Sequence, residues 1–127
     1  MSLDVYEEAG RPQPTEIRLN SAERTLEVDF ENGRSFAFTH EFLRVESPSA
    51  EVKGHGPSQR QYVPGKIGVA ITEIEPVGNY AVRLKFDDGH NTGIFSWSYL
   101  YECGDRYEEI WDAYCEELDR RGLSREG

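Results

Sequence analysis

The sequence predicts an α+β domain: a β-rich single unit of two similar strand–hairpin–helix halves, about six strands in all, with an amphipathic C-terminal helix packed on the sheet. Three observations predict it. Apolar and polar residues alternate with period two in two separate stretches. An Asx-Gly pair interrupts each stretch. The last part of the chain then changes to helical spacing. A length of 127 residues suits one domain with a real core and no disulfide staples.

Residues 1–13 read as a flexible arm before a domain spanning 14–122. Ile17 and Leu19 alternate with Glu16, Arg18 and Asn20, and Leu26, Val28 and Phe30 alternate with Glu27, Asp29 and Glu31. Such alternation builds half-buried strands. Asn32-Gly33 predicts a type I′ hairpin turn, which needs positive φ at both residues. Phe36 and Phe38 continue the inward face, and Thr39 can cap a short helix, HEFLRVE. Residues 47–66 hold three Pro, three Gly and three Ser with few apolar residues. They read as a long structureless loop, a usual place for function.

Strands resume at Val69, Ile71 and Ile74, and Pro76–Asn79 reads as a turn. Tyr80, Val82, Leu84 and Phe86 alternate with Ala81, Arg83, Lys85 and Asp87. Asp88-Gly89 makes the second tight turn, and Ser96 can cap a second short helix, SWSYLYE. The two stretches repeat with a period of about 56 residues. Thr15-Glu16-Ile17 recurs as Thr72-Glu73-Ile74, and Phe30, Gly33 and Phe38 match Phe86, Gly89 and Ile94. Tyr107, Ile110, Trp111, Tyr114 and Leu118 form one helical stripe over residues 105–121, with Asp105 and Glu108 as a capping box and Gly122 at C′. Residues 123–127 are expected to fray.

A net charge of −10 argues against nucleic acid and against an anionic membrane. Residues 101–127 hold nine acids and four arginines, so half the imbalance lies there. No apolar run approaches a membrane span, and MSLDVYEEAGRPQP lacks the apolar stretch of a secretory signal. With only Cys103 and Cys115, the chain reads as cytoplasmic and reduced.

The candidate metal ligands are His40, His55, His90, Cys103 and Cys115, without the spacing of a zinc site. Ser47, Ser49 and His55 share a segment, but a nucleophilic triad also needs an oriented acid and an oxyanion hole. Gly54-His55-Gly56 with Lys53 could bend into an anion nest. A helix N-terminus could lower the pKa of Cys103.

Several segments together carry a resemblance. They are Leu43-Arg44 with Ser47-Pro48-Ser49-Ala50-Glu51, Gly54-His55-Gly56, Ile74–Ala81 and Phe86–Trp97. Over residues 14–103 the chain resembles the family whose domain is similar to the N-terminal domain of gamma-butyrobetaine hydroxylase, largely a bacterial domain of unknown function. The resemblance implies a structural zinc held by three closely spaced cysteines and a histidine. The cysteines would fall within Val45–Glu51, where this chain has VESPSAE, and His90 takes the histidine's place. The iron site of the hydroxylase belongs to a separate catalytic domain. Related domains occur beside P-loop iron–sulfur carrier ATPases, which implies an accessory role near metal-cofactor assembly.

The expected function is therefore a non-catalytic binding or adaptor domain, monomeric or weakly oligomeric. Its surface is expected to join Arg44, Ser47, Ser49, Glu51, His55 and Trp97 with His90. Arg44 and His55 would hold a small anionic ligand or a protein partner, and Trp97 would offer a flat contact. One alternative is a zinc- or iron-binding protein using His90, His55 and acids such as Asp87 or Asp88. The other is a small enzyme with His55 or His90 as acid–base group.

Overall fold

The computed structural model describes residues 12–127. Most of the expected arm lies outside them. Gln13, its last residue, exchanges hydrogen bonds with Glu31: both its N–H and its carbonyl are engaged.

Among the described residues the chain forms six strands and four helices. The first half contributes β1 (Pro14–Asn20), β2 (Thr25–Phe30), β3 (Ser35–Thr39), α1 (His40–Val45) and α2 (Ala50–Lys53). The second contributes β4 (Ile71–Val77), β5 (Ala81–Phe86), β6 (Gly93–Ser96), α3 (Trp97–Asp105) and α4 (Tyr107–Arg120). Each half builds its own three-stranded antiparallel sheet, in the order β1-β2-β3 and β4-β5-β6. Alternation decides which face is wet. Leu26, Val28 and Phe30 of β2 and Val82, Leu84 and Phe86 of β5 are buried. Between them, Glu27 and Asp29 pair with Arg18, and Lys85 pairs with Glu75. The two apolar faces share one core with Phe42, Leu43, Phe95 and Leu100.

The repeat extends to individual hydrogen bonds. Register slips at Thr15 in β1 and at Thr72 in β4, and each hydroxyl donates to the facing strand, to the Asp29 and Lys85 carbonyls. Phe30 N–H bonds to Arg34 O as Phe86 N–H bonds to His90 O. Thr39 accepts from Phe42 N–H as Ser96 accepts from Tyr99 N–H, so both helix caps form as expected.

Neither turn is type I′. Gly33 and Gly89 have φ of 88° and 91°, while Arg24 is the only other described residue type besides glycine with positive φ. Each hairpin is a three-residue loop with the left-handed position at its glycine. Phe38 corresponds to Phe95 and not to Ile94. Phe38 pairs with Leu26 and Phe95 with Val82, whereas Ile94 is 46% exposed. The second half holds one extra residue between its turn and β6, which moves the alternation by one.

Three further expectations change. Residues 47–66 are not structureless: they contain α2 and a 3₁₀ turn at Pro57–Gln59, and Ser47 and Val52 are buried. Asp105 does not cap the last helix. It ends α3, and the chain bends at Arg106, which gives no side-chain cap. Residues 123–127, expected to fray, are bonded to the rest of the fold. Gly122 makes the C′ turn, with Leu123 N–H bonding to Leu118 O. Ser124 and Arg125 carbonyls then accept from Gly65 and Ile67, and Arg125 grips buried Glu41 with two bonds. The apolar stripe of α4 reaches β3 through Tyr107 and Phe38 and stacks Tyr107 on Phe42 at 4.3 Å.

Candidate functional site

Two local features bring the site together. Helix α1 is short, because Ser47-Pro48-Ser49 follows it and Ser49 caps α2. The 44–51 segment therefore turns back toward the second hairpin. That hairpin presents Asp88 and His90, with the His90 N–H bonded to the Asp88 carboxylate at 3.1 Å. The second hairpin and the 44–51 segment meet side chain to side chain.

Four contacts fasten them, and Lys66, from outside both, joins the first. Arg44 Nε donates to Asp88 at 2.7 Å, and Lys66 pairs with the same carboxylate oxygen at 2.7 Å. Ser49 and Thr92 share a hydroxyl bond of 2.6 Å. Ser47 Oγ lies 2.9 Å from His90 Nε2, and Glu51 Oε1 lies 3.0 Å from His90 Nδ1. A carboxylate can only accept, so Nδ1 carries the proton and Nε2 accepts from the Ser47 hydroxyl. Burial, then the nearby Arg44 charge, push the His90 pKa below its ordinary value, which keeps the ring neutral. Burial raises the Asp88 pKa, but Lys66, the His90 N–H and Arg44 outweigh it and hold it at about 2.

Serine, histidine and acid thus stand in the spacing of a nucleophile–base–acid relay. Their exposure is reversed. Ser47 is wholly buried, receives the Ser49 N–H at 3.3 Å and rests on Gly93, where a Cβ would collide with its oxygen. The acid is the open member, with the Glu51 side chain 60% exposed. A hydrolytic serine must face substrate, whereas this one faces glycine.

Arg44, Ser47, Ser49, Glu51 and His90, named from sequence, therefore share one site. His55 is exposed beyond α2 and bonds through its N–H to Gln59, so the expected anion nest is occupied by the chain's own side chain. Lys53 is likewise committed to buried Glu46, which also holds Arg60. Arg44, expected to hold an anion, is 11% exposed and engaged by Asp88. Trp97 lies at the opposite end of β5, where its backbone and indole N–H groups bond to Tyr80 and Asn79. It packs against the core and does not extend the surface around His90. Cys103 lies near the end of α3, not before a helix, and burial raises its pKa to about 12.

Sequence reading missed Lys66, Thr92 and Gly93. None stood out at the 56-residue period: Gly93 falls opposite Ala37 there, and only the one-residue shift seen in the sheet puts it at the repeat position of Phe36.

The zinc implied by the resemblance does not fit these donors. Val45–Glu51 supplies hydroxyls and two carboxylates, Glu46 and Glu51, but no thiol, and Glu46 is taken up by Lys53 and Arg60. Both nitrogens of His90 are already engaged. Among the described residues no group of three or more His, Cys, Asp or Glu side chains is placed to hold an ion.

The fold and site define a small α+β domain of duplicated strand–hairpin–helix units, fastened by a polar cluster. A family model described as gamma-butyrobetaine hydroxylase-like, N-terminal, matches residues 17–101. The chain belongs to that family. Two solution NMR structures resemble it at 44% identity, with TM-scores of 0.77 and 0.80. The first match covers 90% of both chains; the second covers 93% of this chain and 88% of the other. A crystal structure of a protein of unknown function from Acidithiobacillus ferrooxidans, of the DUF971 family, is 49% identical with a TM-score of 0.59. That match covers 69% of this chain and 88% of the other. No curated protein matches.

Proposed function

We propose that this domain is a non-catalytic binding or adaptor module that engages a protein partner through the surface over Glu51, His55 and the second hairpin. The reversed exposure of the relay supports this reading. A sealed serine and an open acid hold a shape in place but give a substrate no access to the nucleophile. A protein partner suits the surface better than a small anion, because Arg44 and Lys53 already pair with the chain's own acids. A place beside metal-cofactor or iron–sulfur assembly is the finer form of the proposal, and it rests on the company that related domains keep.

Partner capture from cell extract tests the surface. Glu51→Gln removes the charge but keeps an acceptor for His90, and His55→Ala removes an exposed ring. The pair should lose partners that wild type retains, while Tyr80→Ser at the far end of β5 should keep them. Unchanged partners in the pair, or loss in Tyr80→Ser alone, refutes the surface. Ester hydrolysis that disappears in Ser47→Ala would place the enzyme reading ahead.

A further inference from the structure

The two halves fasten themselves with the same geometry but different chemistry. In each, the residue after the turn glycine reaches into the other half's helical segment. Arg34 bonds to Asp105 at 3.0 Å and lies over the Phe36 and Tyr101 rings. Its counterpart His90 bonds to Ser47 and Glu51. The contact beneath is exchanged as well. Phe36 presses on Gly104, where a Cβ would enter the ring, while its counterpart Gly93 lies under Ser47, the counterpart of Gly104. One half has a large ring over a glycine; the other has a glycine under a serine, which leaves room for a buried imidazole.

We infer that Ser47, His90 and Glu51 form a metal-independent latch, a hydrogen-bond relay that takes the place of a coordinated ion in fastening the 44–53 segment to the second hairpin. The proton inventory carries this. Neutral imidazole has one N–H and one lone pair. Glu51 takes the first, and the Ser47 hydroxyl fills the second. A zinc or iron ion would need the Nε2 lone pair, and would then leave the Ser47 hydroxyl buried without its acceptor. No thiolate stands nearby to compensate. The matching contact in the first half is made by the Arg34 guanidinium, which cannot ligate a metal, to the Asp105 carboxylate. The latch is independent of the proposed adaptor role, since a fastened segment is required whatever binds above it.

The test uses the untagged full chain. After incubation with excess Zn²⁺ or Fe²⁺ and gel filtration, it should retain less than about a tenth of an equivalent of either metal, and chelator should leave its melting temperature unchanged. The His90 imidazole should show the Nδ1–H tautomer by nitrogen NMR, with a slowly exchanging proton. Ser47→Ala should lower the melting temperature by about 4–8 °C and speed that exchange, while His90 stays neutral. About one equivalent of metal retained, with a chelator-induced fall in melting temperature, overturns the latch. So does an Nε2–H tautomer in the wild-type protein, a result that needs no variant to fold.

Discussion

The two halves share a backbone plan and divide at the residue after each turn glycine. The plan is common down to the bulge threonines, Thr15 and Thr72, and the capping hydroxyls, Thr39 and Ser96. At the division, the first half joins an exposed guanidinium to aromatic rings and the second joins a buried imidazole to a hydroxyl and a carboxylate. A solvated ion pair is worth little and tolerates change. A buried polar relay is costly to break, because each lost partner leaves a desolvated group unpaired. Duplication supplied equivalent positions, and burial made one of them demanding.

The packing exchange offers the largest effects. Gly104→Ala should cost about 2–4 kcal/mol in chemical denaturation, because the new methyl enters the Phe36 ring. Gly93→Ala should cost about 1–3 kcal/mol and also displace Ser47, so His90 should lose its slow proton exchange. Equal costs with an undisturbed His90 would mean that the glycines serve the fold alone.

Removing the fastening residues separates the halves next. His90→Ala should cost about 2–3 kcal/mol, since it strands the buried Ser47 hydroxyl and opens a cavity. Arg34→Ala should shift the denaturation midpoint far less, because both ends of its pair with Asp105 are about half exposed. If Arg34→Ala destabilises as much as His90→Ala, the contrast between the halves is lost.

Acid should act through one buried histidine in each half and through Asp88 in the second. Burial, foremost, lowers the pKa of His90, and also that of His40 where β3 meets α1. A histidine with a depressed folded pKa contributes stability that is full above its unfolded pKa, about 6.5, and declines as pH falls through that value toward the folded one. Asp88 contributes in the same sense at lower pH, between its ordinary value and about 2. Melting temperature should therefore fall in two stages, first below about pH 6.5 and again below about pH 4. His90→Asn should flatten part of the first stage; a profile unchanged by it would remove His90 from the account.

The smallest effects should be equal. Thr39→Ala and Ser96→Ala should each cost about 1 kcal/mol, because the caps make the same bond in both halves. A twofold difference between them would show that the likeness of backbone does not extend to energetics.

Much of this was legible in the sequence, for identifiable reasons. Alternation around Val28 and Leu84 gave the strands, and Thr39 and Ser96 announced two helices through their hydroxyls. Arg44, Ser47, Ser49, Glu51 and His90 could be named as candidates. Their convergence on one surface could be named too, but not the contacts that make it, which depend on a short α1 that turns the chain back at Pro48. Trp97 and His55 show the reverse: residue types suited to binding, placed by the fold at the far end of β5 and beyond α2. The turn type was missed because an Asx-Gly pair suits both a two-residue loop and a three-residue loop with glycine left-handed. The tail was missed because Arg125 finds Glu41 only through tertiary contact, 84 positions apart in the chain.

By itself, the sequence determined the period of each segment, the capped starts of α1 and α3, the duplication, and the absence of cysteine from Val45–Glu51. These are local properties, set by side-chain spacing and composition. Only the tertiary structure decided that His90 is neutral and held at both nitrogens, that Ser47 faces glycine, and that Glu51 is the member open to water. Exposure and proton placement belong to the neighbours a residue meets across the fold, and at His90 those neighbours lie 39 and 43 positions away.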